Sequence, residues 1–266
     1  MRIGFFDSGL GGLVILRAAR EALPQHDFVY LGDTLHLPYG GRSNDAVYEY
    51  SKAAIDHLFR EEDCALIVVA CNTASAAALR RLQQTYLVDT YPDRRILGVV
   101  IPTLEVTHEK RYQRVGLLAT QYIVQSQIYQ QELKKLDTDI EIYAEPSPLL
   151  VPLIENNGHA WIDDVLEHYL NPLLAKDIQA LILGCTHYPF LRPRLQKLLP
   201  SGVDILSQDD IIPHKLADYL QRHPEIDEQI TRGGTTSFCV TDVTQNYLKT
   251  AEEIYGSVPT LEKVIL

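Results

Sequence analysis

The feature that most constrains this chain is that it resembles itself. Arg2-Ile3-Gly4-Phe5-Phe6 matches Arg114-Val115-Gly116-Leu117-Leu118, and Asp27-Phe28-Val29-Tyr30-Leu31 matches Asp139-Ile140-Glu141-Ile142-Tyr143, both displaced by 112 residues. A third pair matches Ala65 to Thr73 with Ala180 to His187. Each copy of this third run is an apolar strand followed directly by a cysteine, Cys71 in the first and Cys185 in the second, 114 residues apart. Self-similarity at a nearly fixed offset means that one supersecondary unit has been used twice. A chain of 266 residues has room for two such units, each with its own core.

Between the apolar runs the spacing becomes helical, as in Asp45 to Phe59, where Val47, Tyr50, Ala54, Ile55 and Leu58 fall on one stripe. Strands alternating with helices, the strands near-continuously apolar and bounded by Gly and Asp, argue for parallel sheets covered on both faces. The expected fold is α/β, two pseudo-symmetric domains, each a parallel sheet flanked by helices. In open parallel sheets the ligand crevice lies beyond the carboxyl ends of the strands. Both cysteines then sit on functional edges, and if those edges face each other the active site is the cleft between the domains. About 56 residues follow the second copy: a helix over Ile212 to Leu220, a strand around Phe238 to Thr241 and a final helix. This tail is expected to return to the first domain, giving 1–97 plus 208–266 as the first unit and 98–207 as the second.

Composition removes several classes of function. A formal net charge of −11 with scattered lysines and arginines repels phosphate backbones, so no nucleic-acid partner is expected. No apolar run approaches the roughly 18 to 20 residues of a membrane helix, and Asp7 interrupts the N-terminal apolar stretch where a secretory signal would continue. A cytoplasmic protein is expected. Cys64, Cys71, Cys185 and Cys239 are too dispersed for a disulfide framework or a close zinc-ligand pair, and read as reduced thiols. His36, His57, His108, His159, His168, His214 and His223 have no ligand-like spacing, so no metal is expected.

Three segments carry chemistry. Asp7-Ser8-Gly9-Leu10-Gly11-Gly12 follows the first strand and opens a helix at Leu13, where backbone amides and the helix dipole favour an anion. The segment lacks the glycine order of a dinucleotide site and the lysine of a phosphate loop, so a carboxylate ligand fits better. The same glycines are equally explained by a tight turn. Cys71-Asn72-Thr73-Ala74-Ser75 opens a second helix, a position that exposes and activates a thiol, or else places a packed strand-end cysteine before Asn72 and Thr73 as caps. Gly184-Cys185-Thr186-His187-Tyr188-Pro189 repeats that position with an imidazole two residues on. Two symmetry-related thiols are hard to explain as packing, whereas Cys64 and Cys239 are assigned to structure.

Opposed thiols have a specific use. One thiolate removes a proton while the other thiol delivers one to the opposite face, which inverts a carbon centre. A free cysteine with a pKa of about 8.5 needs assistance, for which Asp7 and His187 are the candidates. Asn72, Thr73, Thr186 and backbone amides are the candidate donors for the carbanion.

Taken in order, these three motifs together with Pro38-Tyr39-Gly40 resemble the glutamate racemase family, and the resemblance extends through Val151 to Glu155 and Val240-Thr241-Asp242. It implies an enzyme without cofactor that interconverts L- and D-glutamate for bacterial peptidoglycan, and a homodimer. Cys71 and Cys185 match the family's catalytic cysteines, acting on D- and L-glutamate respectively. Asp7 and His187 match the groups that assist them, and Glu155 an acidic residue near the second. Asp7, Ser8, Tyr39, Gly40, Asn72, Thr73, Thr120, Thr186 and His187 match positions that bind the amino acid. Gly41 and Ile123 depart from the family, which frequently has a threonine and a second hydroxyl residue there. The competing readings are an aspartate racemase and an amino-acid-binding protein without activity; the full motif set argues against the first, and the paired thiols against the second.

Overall fold

The structure, a computed structural model, describes residues 1–156, 158–256 and 260–266. It divides into two compact units, Met1–Val99 with Ile212–Leu266, and Val100–Ile211. The strands are β1 (Arg2–Asp7), β2 (Phe28–Gly32), β3 (Cys64–Val69), β4 (Arg95–Gly98), β5 (Arg114–Ala119), β6 (Glu141–Pro146), β7 (Ala180–Gly184), β8 (Asp204–Leu206), β9 (Thr236–Val240) and β10 (Leu261–Lys263).

The first unit holds a six-stranded sheet in the order β10-β9-β2-β1-β3-β4, the second a four-stranded sheet in the order β6-β5-β7-β8. All pairings are parallel. The repeat accounts for this topology strand by strand. β5, β6, β7 and β8 take the places of β1, β2, β3 and β4, so the second sheet repeats the first from β2 to its β4 edge, and β9 and β10 extend the first beyond β2. The expected α/β architecture of two helix-flanked parallel sheets is the one observed.

Burial explains the apolar strands. Every residue of β2, β3 and β7 is buried, as parallel strands covered on both faces require. In the first unit the helix Asn44–Arg60 lays Val47, Tyr48, Ala54, Ile55, Leu58 and Phe59 on the sheet, and its Ser43 cap accepts from the Ala46 amide. In the second, Ile162–Leu174 does the same with Ile162, Leu166, Tyr169, Leu170 and Leu173. The tail differs from expectation at its end, where β10 follows the helix Gln245–Tyr255. Three residues long and largely exposed, β10 carries too little apolar patterning to be seen in sequence.

One polar clamp fastens the first unit's sheet at its amino-terminal end. Asp27 accepts from the Gly233 amide at 3.1 Å and from the Thr235 amide and hydroxyl at 2.8 and 2.6 Å, tying the loop before β9 to the start of β2. Hydrogen bonds from Thr231 and Thr235 hold its carboxyl well below the usual carboxylate range. Because the folded pKa is depressed, the stabilisation is complete above the unfolded value of about 3.9 and is lost as pH falls towards the folded one. Asp27→Asn is expected to lower stability by about 1 to 2 kcal/mol at neutral pH. Urea midpoints should show this gap unchanged from about pH 8 to 5 and shrinking below about pH 4; a gap that grows in acid would contradict the assignment.

Candidate active site

Each sheet presents a cysteine one or two residues past its third strand. In the first unit β3 ends at Val69, and the Ala70 amide continues the ladder by donating to the Phe6 carbonyl at 2.8 Å. Cys71 then takes an extended conformation (φ −62°, ψ 120°) and caps the helical run that begins at Asn72, its Sγ accepting from the Ala74 amide at 3.4 Å. The cysteine is therefore the cap itself, a role that sequence reasoning gave to Asn72 and Thr73 in the packing alternative. The thiol donates to Ser8 Oγ at 3.3 Å. Asn72, Thr73 and Ser8 are all buried.

Two amides of the turn after β1, a segment expected to favour a carboxylate, are taken by a carboxylate of the chain itself. Asp7 Oδ2 accepts from the Gly9 amide at 3.1 Å and the Gly12 amide at 3.2 Å. The Leu13 and Val14 amides at the helix start donate to Leu10 and Gly11 carbonyls. Asp7 is thus a fully buried carboxylate fixed by the turn that it shapes. The turn is pinned from beneath by the Tyr30 hydroxyl, which donates to the Gly9 carbonyl at 2.8 Å. A side chain on Gly32 would start 2.3 Å from that same carbonyl oxygen, so only glycine lets β2 pass the turn. Burial, then the charges of Asp7 and Cys71, raise the Tyr30 phenol well above its usual range, so it remains a donor.

Tyr39, expected to touch substrate, has its hydroxyl on Asp33 Oδ2 at 2.7 Å. Asp33, one residue beyond β2, also accepts from Thr241 Oγ1 at 2.7 Å and lies 2.9 Å from His36 Nδ1. Sequence reasoning missed Asp33, although it stands one residue after an apolar strand as Ser8 does. Gly40 is half-buried beside Tyr39. Gly41 is open: nothing lies within 4 Å of a Cβ placed there, so packing does not exclude the family's threonine.

In the second unit Cys185 follows β7 directly. A turn and the short 3₁₀ segment Tyr188–Leu191 come next, so no helix begins at this cysteine as one does at Cys71. An imidazole stands there instead. His187 Nδ1 lies 3.9 Å from Cys185 Sγ, and Nε2 lies 2.9 Å from Glu155 Oε1, a charge contact off the hydrogen-bond line. Burial opposes charge on this imidazole, but Cys185 and Glu155 outweigh it and hold His187 well above the ordinary histidine range. Thr120, one residue past β5, caps the next helix by accepting from the Ile123 amide at 3.4 Å. Since Ala119 pairs with Gly184, Thr120 stands level with Cys185, and Thr186 is buried just beyond. Tyr188 exchanges a hydrogen bond with Ser147 Oγ at 2.7 Å, and Gln208 donates to Tyr129 at 3.2 Å. These four buried residues were given no role from sequence.

The two copies divide their helpers differently. Asp7 corresponds to Ala119 and Ser8 to Thr120, while Thr73 corresponds to His187. The acid stands at the end of the first strand of one unit, the imidazole after the third strand of the other. Cys64 and Cys239 contrast with both. Burial pushes the Cys64 thiol up, and burial with Glu62 pushes Cys239 to about 12, so both stay protonated at neutral pH. Cys239 does have a polar neighbour, donating to Glu62 Oε1 at 3.6 Å. Among the described residues no three His, Cys, Asp or Glu side chains are grouped to hold a metal, and no helix is long and apolar enough to cross a membrane.

A model of the Asp/Glu/hydantoin racemase family matches residues 14–209. The glutamate racemase of Dinoroseobacter shibae is 38% identical over 239 residues, covering 85% of this chain and 86% of its own. The crystal structure of glutamate racemase isoform RacE1 from Bacillus anthracis superposes with a TM-score of 0.90 at 29% identity, over 100% of this chain and 97% of that one. That of the Francisella tularensis glutamate racemase in complex with D-glutamate gives 0.88 at 28%, over 99% and 97%. The chain belongs to the Asp/Glu/hydantoin racemase family and, within it, to the glutamate racemases.

Proposed function

We propose that the chain interconverts L- and D-glutamate by a two-thiol proton transfer at Cα. The observation that carries the reading is the pair of repeat-equivalent cysteines, each past the third strand of a parallel sheet and each beside proton-handling groups, Ser8 and Asp7 for one, His187 and Glu155 for the other. In this reading both thiols address one Cα. Cys185 as thiolate takes the proton from L-glutamate while the Cys71 thiol gives one to the opposite face; D-glutamate reacts in reverse. After each turnover the protonation states of the two sulfurs have exchanged, so the charge balance is kept. The carbanion is stabilised by donors at Asn72, Thr73 and Thr186, and Ser8, Tyr39, Gly40 and Thr120 help to hold the substrate's carboxylates and ammonium group. In the same reading no cofactor takes part, the carbanion being met by these donors in place of an electron sink. A supply of D-glutamate for peptidoglycan, a homodimer and a cytoplasmic site belong to the same proposal.

The test is to follow loss of optical rotation from each pure enantiomer in D₂O, with chelator and no added cofactor, together with deuterium at Cα. Both enantiomers are expected to racemise with solvent deuterium entering the product, and aspartate to turn over at least about a hundred-fold more slowly, since a misplaced side-chain carboxylate leaves buried polar groups unpaired. Faster turnover of aspartate would overturn the substrate assignment, and no reaction with any amino acid would favour a binding protein.

A further inference from the structure

The two-thiol reading, on which this inference rests, imposes a demand on Cys71 that the helix cap alone does not meet. In one direction the sulfur must hold a proton and release it; in the other it must begin as thiolate and end as thiol. Its hydrogen-bonding partners have to suit both states. The Ala74 amide, 3.4 Å away, only donates, so it serves the thiolate. Asp7, when ionised, only accepts, and its Oδ2 already takes two amides of its own turn. Ser8 Oγ, 3.3 Å from the sulfur and 8% exposed, is different in kind. A hydroxyl accepts from the thiol and, after a rotation about one bond, donates to the thiolate.

We propose that Ser8 is a catalytic residue that follows Cys71 through both protonation states, its hydroxyl accepting from the thiol and turning to donate to the thiolate. The second copy answers the same demand by other means, since His187 can gain and lose a proton beside Cys185. The repeat supports the assignment. Thr120, the counterpart of Ser8, retains a hydroxyl at the same level of its sheet, but there the hydroxyl is engaged as a helix cap and an imidazole stands 3.9 Å from the sulfur. Ser8 has no such duty at the start of its helix, where Gly12 is the cap residue and no side-chain cap bond forms.

The test reads the sulfur directly and requires no turnover. Iodoacetamide alkylation of the whole protein is followed by peptide mass spectrometry from about pH 6 to 10, where cysteine thiolates form. Hydrogen bonds to a charged acceptor outweigh those from a weak S–H donor. In Ser8→Ala, alkylation of Cys71 is therefore expected to fall about ten-fold at neutral pH and its profile to move about one pH unit upward. Ser8→Thr should restore both, and Cys185 should be unaffected throughout. Racemisation by Ser8→Ala should show a fall in kcat larger than any rise in KM. If Ser8→Ala does not fold, Ser8→Cys, which keeps a weak donor of similar size, should give an intermediate profile. A Cys71 profile identical to that of the unaltered protein would overturn the proposal and leave Ser8 a substrate ligand only. An unaltered protein that racemises nothing while Ser8→Ala still shifts Cys71 would instead overturn the two-thiol reading.

Discussion

Cys71→Ser and Cys185→Ser are each expected to lower glutamate racemisation by at least about a thousand-fold, because residues that act as one unit fail together. The substitution keeps size and hydrogen-bonding geometry. It replaces a thiol that ionises near neutral pH by a hydroxyl that does not, so neither a base nor a matching acid remains on that face. Both sulfurs are nearly buried and serine fits their space, so thermal melting should change by no more than a few degrees, a shift of about 1 kcal/mol. Cys64→Ser and Cys239→Ser provide the contrast. Cys64 opens β3, at the opposite end of that strand from Cys71, and Cys239 donates to Glu62 and not to a group of the site, so each is expected to keep most of the activity. Activity close to that of the unaltered protein in either Cys71→Ser or Cys185→Ser would refute the two-base assignment.

The second large effect belongs to His187. Its replacement by asparagine is expected to lower kcat by about 10² to 10⁴-fold, the range of a positioned acid–base group. The pH dependence separates this role from packing. Burial works against the imidazolium, yet Cys185 and Glu155 hold it to higher pH than an ordinary histidine. Activity that needs this charge is present below the raised pKa and lost as pH rises through it. Glu155→Gln removes one of the two groups that raise the pKa, so the alkaline limb of the kcat profile should move to lower pH, while in His187→Asn that limb should vanish. An alkaline limb unmoved by Glu155→Gln would show that the 2.9 Å contact does not tune the site.

The parts of this molecule visible in sequence were those set by local periodicity or by the repeat. The apolar runs at β1, β3, β5 and β7 and the cysteine after each third strand needed no knowledge of distant contacts, and the shared offset was enough to call for two related parallel sheets. What stayed hidden depends on partners far apart in the chain. Asp33 and Thr241 are separated by 208 residues, Ser147 and Tyr188 by 41, and Gln208 and Tyr129 by 79. No spacing rule links such positions. The Asp7 turn shows a subtler limit: its glycines signalled amides free of the helix ladder, but only the fold shows that two of them, at Gly9 and Gly12, bond the Asp7 carboxylate at the end of β1. The helical run after Cys71 also departs from a simple 3.6-residue pattern, passing through wide turns at Ser75–Leu79 and Leu82–Tyr86, which side-chain periodicity cannot distinguish from an ordinary helix.

The discontinuity of the first unit bears on how the chain is made. Val100–Ile211 is one uninterrupted stretch, and each neighbour in its sheet has been synthesised by the time Leu206 emerges. The first unit's inner strands emerge earlier, yet β2 lacks its outer neighbour until Thr236–Val240 arrives more than 200 residues later. Until then the edge of β2 has no outer neighbour for its amides and carbonyls, the kind of edge that templates mispairing, whereas the second unit's sheet needs no strand made after it. The pairing with the longest sequence separation, expected from that separation to be slow, is the one that seats Thr241 on Asp33 and completes the surroundings of the Tyr39 turn.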